Sequence, residues 1–226
     1  MRIDVFTLFP EWFDWLRRPR HLANAAELAD LELRCFNYRD HTPLRQGQVD
    51  DAPYGGGPGM VIRVDVVAAA FEAVYGVPAD RVRDERRVVV LTPRGRPFDD
   101  SLAREWAEEP AVTLLAGRYE GFDERVHDHL AGEAVSLGPF VLAGGEVAAM
   151  AMVDAVGRRL PGALGNRDSL EGESFSPTLA GRTEHPHYTR PAAFRGWEVP
   201  EVLRSGDHAA VEAWRRANLG PGPGEA

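Results

Sequence analysis

Short apolar runs alternate with helix-length amphipathic segments through the first 160 residues, and this alternation constrains the fold more than any other feature. Arg2–Phe9 and Leu31–Asn37 read as strands, and Arg87–Leu91 and Ala111–Ala116 have the length and composition of buried strands. Between and after them, Val64–Tyr75, Asp99–Glu108, Phe122–Leu130 and Gly145–Leu160 carry apolar residues at helical spacing. Such a succession predicts an α/β fold with a mostly parallel sheet covered by helices. Arg39–Met60 breaks the rhythm. It is polar, rich in Gly and Pro and too long for an ordinary connector, so it is either functional or mobile.

Beyond Leu160 the character changes. Pro161–Ala180 has the composition of a linker. Gly206–Ala217 then reads as a helix with Asp207 as its N-cap. The expected organisation is a domain over residues 1–160, an interdomain linker over 161–180 and a small, mainly helical domain over 181–226.

Composition removes several classes of chemistry. All 26 basic residues are Arg, so a P-loop lysine, a Schiff-base lysine and a lysine general base are excluded. The one cysteine, Cys35, forms no intrachain disulfide, as suits a reducing cytoplasm. No run of 18 apolar residues occurs, and the N-terminus lacks the pattern of a signal peptide. A cytoplasmic protein without a membrane partner is expected. The net charge of −9 argues against indiscriminate nucleic-acid binding, DNA included, and leaves a selective RNA enzyme open.

Three glycine-bearing turns follow strand-like runs: Thr92–Gly95, Ala116–Gly121, and the stretch from Ser136 through Gly138 to Gly144, Gly145 and Glu146. Ligands of open α/β sheets bind outside the carboxyl ends of the strands. Together the turns either wrap one small polar molecule or merely reverse the chain. Neither the G-x-G-x-x-G nor the P-loop fingerprint is present. No metal site is assigned: His185 and His187 flank Pro186 and need ligands from afar, and His127 and His129 are placed on a solvated helix face. In Asp50–Met60, the adjacent Asp50 and Asp51 either hold Mg²⁺ or form a solvated turn, and the glycines that follow permit a loop that closes over a ligand.

The stretches VDDAPYGGGPGMV, LTPRGRPF, AGRYEGFDERV, SLGPFVLAGGE, VDAVGRRLPGALG, PHYTRP and VPEVLRSGDH run collinearly over nearly the whole chain. In that order they resemble the bacterial tRNA (guanine-N1)-methyltransferases of the SPOUT superfamily, the TrmD family. The resemblance implies a parallel α/β sheet whose C-terminal part threads a deep trefoil knot, followed by a small helical domain. It implies transfer of a methyl group from S-adenosylmethionine to N1 of the guanosine immediately 3′ of the anticodon in tRNA, by a homodimer in which each site is completed by the partner's linker and C-terminal domain. Cofactor contacts would fall to Pro93, Gly117, Leu137, Gly138, Pro139, Phe140, Val141, Leu142 and Gly144. Substrate contacts would fall to Asp51, Gly57, Tyr119, Glu120, Glu184 and His187. Arg158 would face the guanine, and Glu173, in a motif that commonly reads Asp-Ser-Phe, would be the base, with Asp168 as the alternative.

Three departures from the family pattern stand out. Glu173 replaces the usual Asp, Pro139 stands where an acidic residue is usual, and relatives commonly continue into a further basic segment after the position of Trp214 and Arg215. A rival reading is a knotted RNA-binding or assembly module without activity, against which all three turns retain their glycines. A third is methylation of another RNA atom such as a ribose 2′-hydroxyl, against which the linker carboxylate and PHYTRP argue.

Overall fold

A computed structural model describes residues 1–165 and 172–222. Asp168 therefore lies outside the described residues. The chain divides into two compact units, Met1–Leu164 and Gly165–Ala226.

The first unit opens with β1 (Arg2–Thr7), a 3₁₀ segment at Pro10–Arg17, α1 (Arg20–Leu28), β2 (Glu32–Asn37) and the single-turn α2 (Tyr38–His41). The two-residue strands β3 (Asp50–Asp51) and β4 (Val61–Ile62) pair antiparallel before α3 (Val64–Tyr75) and the short α4 (Val82–Glu85). β5 (Arg87–Pro97), α5 (Asp100–Ala107), β6 (Ala111–Leu115), β7 (Glu133–Ser136) and α6 (Glu146–Gly157) complete it. Five strands form one parallel sheet in the order β2-β1-β6-β5-β7.

Strand periodicity divides the apolar side chains between two cores. Ile3, Val5, Val89, Leu114 and Val135 face α1, α5 and α6, where Trp106, Met152 and Val156 are buried. Phe6, Val88, Val90 and Leu115 face α3, against Val66, Val67 and Phe71. Truncating a buried Leu or Met to Ala in such a core costs about 2–5 kcal/mol. The helix ends follow from local chemistry. Asp99 accepts from the Leu102 N–H at 2.8 Å to start α5, and Gly76, at φ 70°, ends α3 in the left-handed region.

One buried charge sits in β1. The Asp4 carboxylate is fully enclosed and accepts from Arg34 Nε and Nη2 at 2.7 and 2.8 Å, from Arg86 Nη1 at 2.7 Å and from Tyr75 Oη at 3.0 Å. A buried carboxylate is tolerable only with that degree of pairing.

Two segments differ from their sequence reading. Phe122–Leu130 is helical from Glu124 onward and ends in a π-type turn at Val126–Leu130. Only its first two residues are used otherwise: Phe122 forms a bridge with Ile62, and the Asp123 carboxylate accepts from Arg125 Nη2 at 2.7 Å. β5 does not stop at Leu91. Leu91 and Arg96 both stand opposite Val135 of β7, so Thr92–Gly95 is looped out and the strand resumes beyond it.

In the second unit β8 (Ala193–Phe194) and β9 (Trp197–Glu198) form an antiparallel ribbon, followed by a 3₁₀ turn at Glu201–Arg204 and α7 (His208–Ala217). Asp207 caps α7, its Oδ1 accepting from the N–H groups of Ala209 and Ala210 at 3.0 Å. Among the described residues no helix is long and apolar enough to cross a membrane.

Candidate active site

The three glycine-bearing turns follow or interrupt the neighbouring strands β6, β5 and β7, so parallel pairing delivers them to one end of the sheet. They enclose a cavity of about 290 Å³. The first loop contributes Pro93 and Arg94, the second Gly117, Arg118, Tyr119 and Glu120. The third contributes Leu137, Gly138, Phe140, Val141, Leu142 and Gly144. Of the cofactor contacts expected from sequence, Pro139 alone does not line the cavity; it is exposed.

Backbone bonds hold the loops together. The Gly145 N–H donates to Gly117 O at 2.8 Å, and Arg118 and Gly144 form an antiparallel bridge. Two glycines are required by close approach. A Cβ on Gly95 would lie 2.3 Å from the Val135 nitrogen, and one on Gly145 would lie 2.8 Å from the Ala116 Cα. Tyr119 holds φ 60° at the tip of the second loop and is half exposed, a conformation costly for a non-glycine residue and frequent at ligand clamps.

The glycine-rich segment before β4 is tied to the same loop. Glu120 N–H donates to Met60 O at 3.0 Å, and Ile62 N–H donates to Gly121 O at 2.9 Å. Gly57 and Asp51 are both exposed and neither lines the cavity. Asp51 Oδ2 accepts from Arg63 Nη1 at 3.2 Å. No group of three or more His, Cys, Asp or Glu side chains that could hold a metal occurs among the described residues.

Electrostatics at the rim are set by ion pairs. Arg94 Nη2 lies 2.6 Å from Glu124 Oε2, and the Arg94 side chain holds the Glu124 carboxyl below its ordinary range. His127, placed on a solvated face by sequence, instead lines the cavity and is half-buried. The reason is the π-type turn, which buries Val126 and Leu130 and leaves His129 exposed. Burial depresses the His127 imidazole pKa, with Arg94 adding to the effect and Glu124 and Asp128 opposing it.

Residues that the sequence reading passed over also stand at the wall. Arg118 Nε lies 2.9 Å from Glu146 Oε2, an ion pair that is not aligned as a hydrogen bond. The signal lay in AGRYEGF and AGGEV, where an Arg and a Glu accompany the two glycine turns, but only the fold brings them together.

Arg158 caps α6 at the end remote from Glu146, about 18 Å along the helix at its usual rise, and does not line the cavity. Glu173, Glu184 and His187 belong to the second unit. There Glu173 is half-buried in a turn closed by the Ser176 N–H donating to Glu173 O at 3.0 Å. His187 Nε2 and Glu184 Oε2 lie 2.6 Å apart. Burial opposes ionisation of Glu184, but His187 and the Ser174 N–H outweigh it and lower the carboxyl pKa.

Glycine-bearing loops at the carboxyl ends of three adjacent parallel strands, closed on one cavity, define an α/β protein with a pocket of small-molecule size where such folds hold their ligands. The chain belongs to the tRNA (Guanine-1)-methyltransferase TrmD family, whose family model matches residues 1–219. It is 51% identical over 216 residues to the tRNA (guanine-N(1)-)-methyltransferase of Exiguobacterium sibiricum, covering 96% of this chain and 85% of that protein. It is 47% identical to the enzyme of that name from Dehalococcoides mccartyi, covering 96% of this chain and 84% of the relative. For the one from Brevibacillus brevis the identity is 46%, with 95% and 85% covered.

Proposed function

We propose that the chain transfers a methyl group from S-adenosylmethionine to N1 of the guanosine immediately 3′ of the anticodon in tRNA, as a cytoplasmic homodimer. The observation that carries this is the convergence of the three loops on one cavity in a chain matched to the family over residues 1–219.

The cavity suits the cofactor. Leu137, Val141 and Leu142 provide apolar walls for an adenine ring, the loop backbones provide polar edges, and Arg94 and Glu120 bring both signs of charge. When bound, S-adenosylmethionine supplies an electrophilic methyl group on a sulfonium. Pro93, Gly117, the run from Leu137 to Leu142 and Gly144 would hold it, with Pro139 shaping the third loop. The deep trefoil knot belongs to this reading. It is supported by the looped-out Thr92–Gly95 within β5 and by the return of the third loop onto Gly117.

Guanine N1 must lose its proton as it takes the methyl group. Glu173 accepts that proton, and the Arg158 guanidinium stabilises the charge that develops on O6. A Glu places its oxygens about 1.5 Å further from the backbone than an Asp, so either the turn at Glu173 sits slightly farther back than an Asp would require or the transfer is slow. Because Arg158 is remote from its own chain's cavity, the dimer supplies it: a partner's Arg158 serves the site. Asp51, Gly57, Tyr119, Glu120, Glu184 and His187 contact the tRNA. A magnesium ion would need tRNA oxygens or water to complete its shell, since the described side chains do not gather a ligand set.

Single-turnover methylation with saturating cofactor tests the roles. Glu173→Gln is expected to abolish transfer while tRNA binding survives. Arg158→Ala is expected to lose about 10²–10³ in rate with cofactor binding intact. Equal losses of cofactor affinity would remove Arg158 from the chemistry, and an active Glu173→Gln would remove Glu173.

A further inference from the structure

The second and third loops touch through a buried ion pair that the roles above do not use. Arg118 leaves the second loop, and Glu146 opens α6 directly after the third. Their charged groups lie 2.9 Å apart, with 1% of the Glu146 side chain and 17% of the Arg118 side chain exposed. Glu146 Oε1 accepts from Thr7 Oγ1 at 3.0 Å, and Thr7 Oγ1 accepts from the Phe9 N–H at 3.0 Å. The Arg118 guanidinium stands 4.6 Å over the Phe9 ring and 4.8 Å over the Trp12 ring. Its Nη1 reaches Ala143 O at 3.5 Å.

Four chain segments thus meet on one pair: the end of β1, the 3₁₀ segment after it, and both loops. Burying two charges is costly, and a well-packed apolar pair of similar volume would hold a fold as well. Side chains that line a ligand site are held in place by a surrounding shell of such contacts. We infer that Arg118 and Glu146 are positioning residues that set the spacing of the second and third loops, and thereby the affinity for the cofactor. The inference rests on the S-adenosylmethionine reading of the cavity. It also accounts for Gly144, where a Cβ would lie 2.4 Å from Arg118 Nε and 2.5 Å from Glu146 Oε2.

Arg118→Met, Glu146→Gln, Arg118→Lys and the double variant Arg118→Met/Glu146→Gln are compared with wild type by S-adenosylmethionine calorimetry and thermal melting. Each single removal is expected to weaken cofactor binding by about tenfold or more, as small misplacements in a site do. In methyl transfer the loss should appear chiefly as a raised KM for the cofactor rather than a lowered kcat, and Arg118→Lys should recover part of the affinity. The double variant leaves no lone buried charge, so it should regain the melting temperature and still bind the cofactor weakly. A double variant that regains both would show that the pair only balances charge, and single variants with wild-type affinity would equally overturn the inference. Wild-type protein that binds no S-adenosylmethionine would overturn the reading of the cavity itself, a result distinct from either.

Discussion

Glu184 and Ser174 hold each other by reciprocal hydrogen bonds: the Ser174 N–H donates to Glu184 Oε1 at 2.9 Å, and the Glu184 N–H donates to Ser174 Oγ at 3.0 Å. The pair ties the segment beside Glu173 to the PHYTRP motif, because the second Glu184 oxygen engages His187 at 2.6 Å. Glu184→Ala should therefore displace Glu173 without removing it. The expected loss is on the order of 10² in single-turnover rate, the scale of about 1 Å of misplacement. Glu184→Gln, which still accepts from Ser174, should retain more. A Glu184→Ala protein with wild-type rates would separate the two motifs functionally.

The depressed Glu184 pKa fixes the pH at which this tie fails. A carboxyl whose folded pKa lies below its unfolded value contributes stability above the unfolded pKa, about 4.3 for Glu, and loses it as pH falls through the folded pKa. His127 works in a different window with the same sign. Its folded pKa is lowered by burial, so below about pH 6.5 the unfolded state binds the extra proton and stability falls until the folded pKa is passed. Melting temperatures from pH 7.5 to 5 should decline in wild type and decline less in His127→Gln. Parallel curves would place His127 in solvent.

Asp4 lies on β1 beneath the sheet's helices and away from the cavity lining. Asp4→Ala leaves Arg34 and Arg86 without their shared carboxylate and should cost about 3–5 kcal/mol of stability in denaturant titration. The protein that remains folded should bind cofactor normally. A loss below about 1 kcal/mol would mean that the two guanidiniums find water instead.

The position of Arg158 predicts the assembly. If the partner supplies that guanidinium, light scattering should give twice the 24.9 kDa chain mass at working concentration. Mixing Arg158→Ala subunits with Gly117→Val subunits, whose own cavity is obstructed but whose Arg158 is intact, should then restore activity that neither variant has alone. A monomer mass with full activity would contradict a shared site.

The sheet was legible where periodicity was strong. The span of α3 matches its sequence reading, Val64–Tyr75, because Val66, Val67, Ala70 and Phe71 mark one face and Gly76 ends it. The capping role of Asp207 was visible for the same kind of local reason. β7 was implied only as a strand-like run leading to Ser136 and received no bounds, because its four residues, Glu133–Ser136, carry too little pattern. α1 escaped because Pro19 supplies no capping side chain to announce it. The glycine turns were readable as a set, and the structure gathers them. What was not readable is pairing at long range: the return of β5 past Thr92–Gly95, the turning of His127 into the cavity wall, and the contact of Arg118 with Glu146 all depend on crossovers that no local window contains.

The central claim is the identity of the methylated atom. Purified protein, S-adenosylmethionine labelled in its methyl group and an unmodified tRNA transcript with G immediately 3′ of the anticodon are combined, and the product is digested and mapped by mass spectrometry. One labelled nucleoside, N1-methylguanosine, is expected at that position, and no label when the G is replaced by A. Label on a ribose oxygen, on another base, or on the A-substituted transcript would contradict it.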